Sequence, residues 1–343
     1  MLPPFWQNEL EFPNEISNRL SLLVWIAPPF CINLLPSRLT GQPTGRPLTL
    51  IWPWQDRQRR FSALKAAAFA LTLAPAAWLL YQTASGELGI YPMWLGGLTF
   101  WSGVWATAVL FGALAVTPAL TILDWRGLID VRRMIGVAAL AYTVGHIVIY
   151  FALRFWNFTT ILKEMATPFM ITATLSTIGL LALGLTSVDA AIARMGVRGW
   201  QRLHNTVYVV TALAVLHALL SRGSNPLQNL LAGMFLWLML WRLADRHGRG
   251  ADAKALAAIA LASALFAVLL EACLVWLKRG YPLTETLGNN FSLIFGIPPA
   301  WEILALGLLI ALAAALVGAR RRATSPVLAA ATSGTSVVTA PLT

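Results

Sequence analysis

The sequence predicts an all-α bundle of about eight membrane-spanning helices, and three observations predict it. Apolar residues make up 58% of the 343-residue chain and charged residues 11%, against roughly 45–50% and about 25% in a soluble domain. Eight apolar runs are long enough to be read as spans. Basic residues fall on alternate connections between those runs, as membrane topology demands. A water-soluble enzyme and a disordered chain are both excluded. The net charge of +11 reads as cytoplasmic loops, not as a nucleic-acid partner. Two cysteines, Cys31 and Cys273, support neither a disulfide framework, a zinc site nor the Cys-x-x-Cys-His attachment of a c-type haem.

In order, the expected spans are Ser62–Tyr81, Leu95–Val116, Met134–Leu153, Pro168–Leu185, Leu203–Ser221, Leu227–Trp241, Ala255–Leu277 and Ala300–Gly318. Residues 1–60 read as a cytoplasmic or interfacial extension. Within it, Leu20–Leu35 is apolar but short and carries Pro28-Pro29. Acids at Glu9, Glu11 and Glu15 speak against a signal peptide. Residues 61–245 read as the central unit, 254–320 as two additional spans, and 321–343 as a disordered cytoplasmic tail of small side chains. With the N-terminus inside, 20 of the 25 basic residues lie on cytoplasmic segments; the outer loops keep Arg154, Lys163, Arg222, Lys278 and Arg279. The expectation is a multi-pass protein of the bacterial inner membrane with both termini cytoplasmic. No Gly-rich nucleotide fingerprint occurs, so no nicotinamide site is built in.

Of four histidines, His146 sits in the third span, and His204 and His217 open and nearly close the fifth. His247 lies in a polar linker. An ionisable side chain at membrane depth is a functional candidate by default. His146 is twelve residues past Met134 and His217 fourteen past Leu203, roughly 18 and 21 Å along helices that both run outward. Two imidazoles at one level on separate helices suit the axial positions of a haem iron. With both positions filled, electron transfer is the expected role. His204, thirteen residues before His217, falls about 140° round an ideal helix, near the cytoplasmic face. Arg132 stands where a partner for it would be needed; it cannot ligate iron but can bind a propionate or a phosphate. Arg132, Arg133 and Arg202 cluster at the inner helix ends, either as a solvated face or as a propionate or flavin-phosphate site. Glu271 is the one acid well inside a span and reads as snorkelling or paired with Lys278. Trp105 and Tyr142 read as core packing before electron relays.

Four segments act as a set: SGVWATAVLFGALAVTP (102–118), RRMIGVAALAYTVGHIVIYF (132–151), ITATLSTIGLLALGLTS (171–187) and WQRLHNTVYVVTALAVLH (200–217). With them, the stretch from about Trp54 to Ala244 resembles the bacterial ferric-reductase-like transmembrane family. Within it, the likeness is nearest to the haem-binding membrane subunits of periplasmic methionine-sulfoxide reductase systems. The resemblance implies a six-helix haem core with His146, His204 and His217 as ligands, b-type haem in one copy or two, and FMN. It also implies electrons passed from the inner side to a separate periplasmic molybdoenzyme that repairs oxidised methionines. The donor would be a cytoplasmic flavin reductase or a membrane quinone. Where the family carries a basic residue after the first histidine of the last motif, this chain carries Asn205. Two other readings stand beside this one: a ferric-chelate reductase, and a transporter with structural histidines.

Overall fold

The structure, a computed structural model, describes residues 52–55, 58–89, 93–221, 225–292 and 296–333, the last ten by backbone alone. The apolar stretch Leu20–Leu35 and most of the N-terminal extension lie outside the described residues. Helices account for nearly all the rest: α1 Ala63–Ala84, α2 Met93–Leu123, α3 Ile129–Leu153, α4 Phe158–Met165, α5 Pro168–Leu185 and α6 Asp189–His204. They continue as α7 Val207–Leu220, α8 Pro226–Arg246, α9 Ala253–Arg279, α10 Leu283–Asn289 and α11 Pro299–Ser333. Among the described residues, eight helical stretches are long and apolar enough to cross a membrane, as expected. The protein is an all-α polytopic membrane bundle.

Local chemistry sets the helix starts. Ser62 caps α1, Asn157 caps α4 and Asp252 caps α9. Thr167 before Pro168 and Asn225 before Pro226 open α5 and α8, since proline at the first helical position gives up a backbone N–H that has no partner there. Gly280 ends α9 in the left-handed conformation.

The core forms around α2, which packs along α3 and touches α1, α7, α8 and α11. Its buried side includes Leu110, Phe111 and Leu114, which join Trp237, Leu238 and Trp241 of α8 in one apolar cluster. Leucines on outward faces, such as Leu71 and Leu80 of α1, are exposed, as lipid-facing positions should be. α5 and α7 form a tight pair: a side chain at Gly179 would collide with Val210, and the Ser176 hydroxyl donates to the Val210 carbonyl at 3.0 Å. α8, α9 and α11 form a second close group.

Three expectations change. Short helices α4, α6 and α10 appear where loops were expected, because brief amphipathic turns leave no long apolar run. His204 belongs to α6, not to the helix of His217: at Thr206 the backbone N–H reaches Leu203 instead of residue 202, and the Thr206 hydroxyl also takes the Leu203 carbonyl. This tightening breaks the even 100° phase on which the 140° separation relied. Finally, α11 runs to Ser333, so the first part of the tail expected to be disordered is helical; its alanines are strong helix formers.

Candidate functional site

His146 on α3 and His217 on α7 both line one cavity of about 240 Å³, enclosed by α2, α3, α5, α7 and α8. Each ring is held by a defined partner. The His217 Nδ1 lies 2.9 Å from the Phe169 carbonyl at the start of α5, and the Phe169 ring stacks on the imidazole with centroids 4.1 Å apart. A carbonyl only accepts, so Nδ1 carries the proton and Nε2 keeps its lone pair. His146 Nδ1 lies 3.0 Å from the Ser102 Oγ. The single Ser102 proton goes to the Thr99 carbonyl at 3.0 Å, so Ser102 accepts from His146 and again leaves Nε2 free. Gly103 makes room for this ring: a Cβ there would stand 3.0 Å from His146 Cε1.

The donor set can be tested against a haem. Metal-ligating histidines characteristically donate their second N–H to a carbonyl or a similar acceptor, and both do so here. Among the described residues no group of three or more His, Cys, Asp or Glu side chains could hold a metal by themselves. Two imidazoles therefore suit a metal whose remaining ligands come from a porphyrin. Apolar and small hydroxyl side chains line most of the cavity, including Leu110, Leu180, Leu231, Thr107 and Ser176. The residues fit the group.

His204 does not share this cavity. Its ring stacks on Trp200 with centroids 3.9 Å apart, and Nε2 lies 3.3 Å from the Thr186 Oγ1. That hydroxyl already donates to the Ala182 carbonyl at 2.7 Å, so Nε2 is the donor and is engaged. Arg132 and Arg133 are its electrostatic neighbours. Arg133 pairs with Asp189 at 3.3 Å, and Arg202 is exposed. The structure thus gathers His204, Arg132 and Arg133 at the basic end of the bundle, with Arg202 on its surface. His247 caps the end of α8 and is exposed.

Sequence reasoning missed Ser102, Gly103 and Phe169, which orient the two rings. It also missed Arg242, which sits over the Tyr208 ring at 4.6 Å and donates to the Leu114 carbonyl at 3.0 Å. Nothing in the spacing of those residues marks them. At the other end of the cavity, the Tyr150 hydroxyl donates to Glu164, which also pairs with Arg154 at 2.8 Å. Burial alone would lower the Arg154 pKa; the Tyr150 and Glu164 contacts outweigh it and hold the guanidinium above its ordinary value. A second, apolar cavity of about 780 Å³ lies between α1, α2 and α3 and reaches the opposite side of His146 and Ser102.

Residues 102–215 match the family described as "Ferric reductase like transmembrane component". The chain is 36% identical over 197 residues to the "Protein-methionine-sulfoxide reductase heme-binding subunit MsrQ" of Azospira oryzae, covering 56% of this chain and 84% of that one. It is 34% identical to proteins of the same name from Caulobacter vibrioides and Brucella anthropi, covering 81% and 82% of them. The chain belongs to the MsrQ family. Both cavity histidines lie within or just beyond the matched 102–215 segment, whereas α8 to α11 follow it. This MsrQ-family chain therefore carries its second close helix group outside that segment. No solved structure matches.

Proposed function

We propose that this protein is a membrane electron-transfer subunit that binds b-type haem through His146 and His217 and serves a periplasmic methionine-sulfoxide reductase. The observation that carries this reading is the pair of histidines on one cavity, each with Nδ1 engaged and Nε2 free. A haem held between two imidazoles supplies reversible one-electron chemistry with no coordination position open to a small substrate. Ser102 and Phe169 fix the tautomer of each ring, and the apolar lining keeps water from the site. Without a Cys-x-x-Cys-His segment the haem would be held non-covalently. The names of the relatives support both the haem and the methionine-sulfoxide reductase partner.

On this reading the basic end faces the cytoplasm. Arg132 and Arg133, with the exposed Arg202, would anchor an anionic group such as a haem propionate or the phosphate of FMN, with the His204 ring packed beside them. The second cavity favours a membrane quinone over a cytoplasmic flavin reductase as the donor. It is apolar, it is bordered by the lipid-facing α1, and it touches His146.

The test begins with the reduced-minus-oxidised spectrum of the purified protein. His146→Ala and His217→Ala should each remove most of the bis-histidine signal, while His247→Ala should leave it intact. Wild-type spectra in both cavity variants would overturn the ligand assignment. Proteoliposomes then separate the partners. Haem reduced by a quinol and reoxidised by the methionine-sulfoxide reductase catalytic subunit supports the reading. Reoxidation by a ferric chelate alone would favour a ferric reductase instead.

A further inference from the structure

Glu271 lies inside α9, and the expected pairing with Lys278 is not what the structure shows. Lys278 donates to the Leu219 and Ser221 carbonyls at the end of α7, at 2.7 and 3.1 Å. Glu271 forms no ion pair among the described residues. The polar side chain beside it is that of Asn290, which follows α10 and is 4% exposed. Asn290 Nδ2 donates to the Thr286 carbonyl at 3.1 Å, which fixes the orientation of the amide. Its Oδ1 is buried with no partner.

A carboxylate only accepts. An ionised Glu271 would leave the buried Oδ1 unpaired and place a net negative charge on a half-buried side chain within a membrane-spanning helix, both costly. A carboxylic acid donates one O–H, and beside a primary amide it can close a ring of two hydrogen bonds. In that ring Nδ2–H donates to the acid carbonyl and the acid O–H donates to Oδ1. The free acceptor is thus the feature that one proton would complete.

A second orphan stands at the same level. Asn229 on α8 is 3% exposed, and its Oδ1 also has no partner. A Cβ at Gly233 would stand 3.3 Å from the Ala267 Cβ, which sets the register of α8 against the antiparallel α9. Asn229 is one turn from Gly233, and Glu271 is one turn from Ala267 in the same direction along the bundle. The carboxyl and the unpartnered Asn229 oxygen therefore share one layer of the α8–α9 pair, with Asn290 beside the carboxyl.

We propose that Glu271, Asn290 and Asn229 form a proton-binding site, with Glu271 carrying the proton in the resting protein. The site is independent of the haem assignment. The experiment is infrared spectroscopy of the full chain in lipid vesicles, comparing wild type with Glu271→Gln, whose amide can still pair with Asn290. The protonated-carboxyl C=O stretch should be present in the wild type, absent in Glu271→Gln, and moved to a less hydrogen-bonded frequency in Asn290→Leu. Superimposable wild-type and Glu271→Gln spectra in that region, with both proteins folded, would overturn the proposal. Dicyclohexylcarbodiimide, which modifies protonated carboxyls in apolar surroundings, should label Glu271. Protection by sodium ions would put a metal cation where the proton is proposed and would likewise overturn it.

Discussion

Ser102 does more at the residue scale than its size suggests. Its hydroxyl has one proton, committed to Thr99, so it can only accept from His146. Removing it leaves the His146 Nδ1–H without that acceptor and frees the ring to turn. Partners of this kind usually contribute 10–100-fold to metal affinity. Ser102→Ala should therefore weaken haem retention by about 10-fold, measured by transfer to apomyoglobin, while the chain still inserts normally. Unchanged retention would show that the ring is held by packing beside Gly103 instead. The histidines themselves are legible in the sequence because ionisable groups are rare at membrane depth. Ser102 and Phe169 are not, since a serine and a phenylalanine in apolar helices look like any others until the fold places them beside an imidazole.

At the scale of the element, α1 shows how a tertiary contact repairs a local defect. Pro75 lies inside the helix, lacks an N–H and crowds the preceding turn. The Tyr142 hydroxyl of α3 enters the gap, accepting from the Ala76 N–H at 2.9 Å and donating to the Thr72 carbonyl at 2.7 Å. Tyr142 is thereby tied to the packing of α1 against α3. Tyr142→Phe should destabilise the bundle by about 1–3 kcal/mol, because it strands two backbone groups away from water. Unfolding in mixed micelles would measure the loss, and adding Pro75→Ala should recover part of it by letting the helix close its own bonds. Hydropathy locates the apolar middle of an element and not its ends. α2 was expected to stop at Val116 yet continues to Leu123, with Pro118 inside, and α3 begins at Ile129 and so takes in Arg132 and Arg133. α6 was missed because its pattern is amphipathic and broken at Gly196, where φ is 72°.

For the whole molecule, the arrangement of charge predicts the orientation in the membrane. Eight crossings return the chain to the side where it began, so the turns at Arg126–Leu128, before α7, and between α8 and α9 share one face with the end of α11. That face holds Arg126, Arg132, Arg133, Arg198, Arg202, Arg242, Arg246, Arg249 and Arg320 to Arg322, whereas the opposite connections hold few basic residues. Positive segments resist translocation, so the rich face should stay in the cytoplasm. Some of these cations are also fixed structurally: Arg133 by Asp189 and Arg321 by Asp124 at 2.9 Å. Reporter fusions after Gly127 and Gly250 should be active only as cytoplasmic fusions, and those after Gly86 and Tyr281 only as periplasmic ones. A cytoplasmic signal at Gly86 would invert the map, placing the cavity's Tyr150–Glu164–Arg154 end inside and moving the docking face for a periplasmic reductase to the basic end.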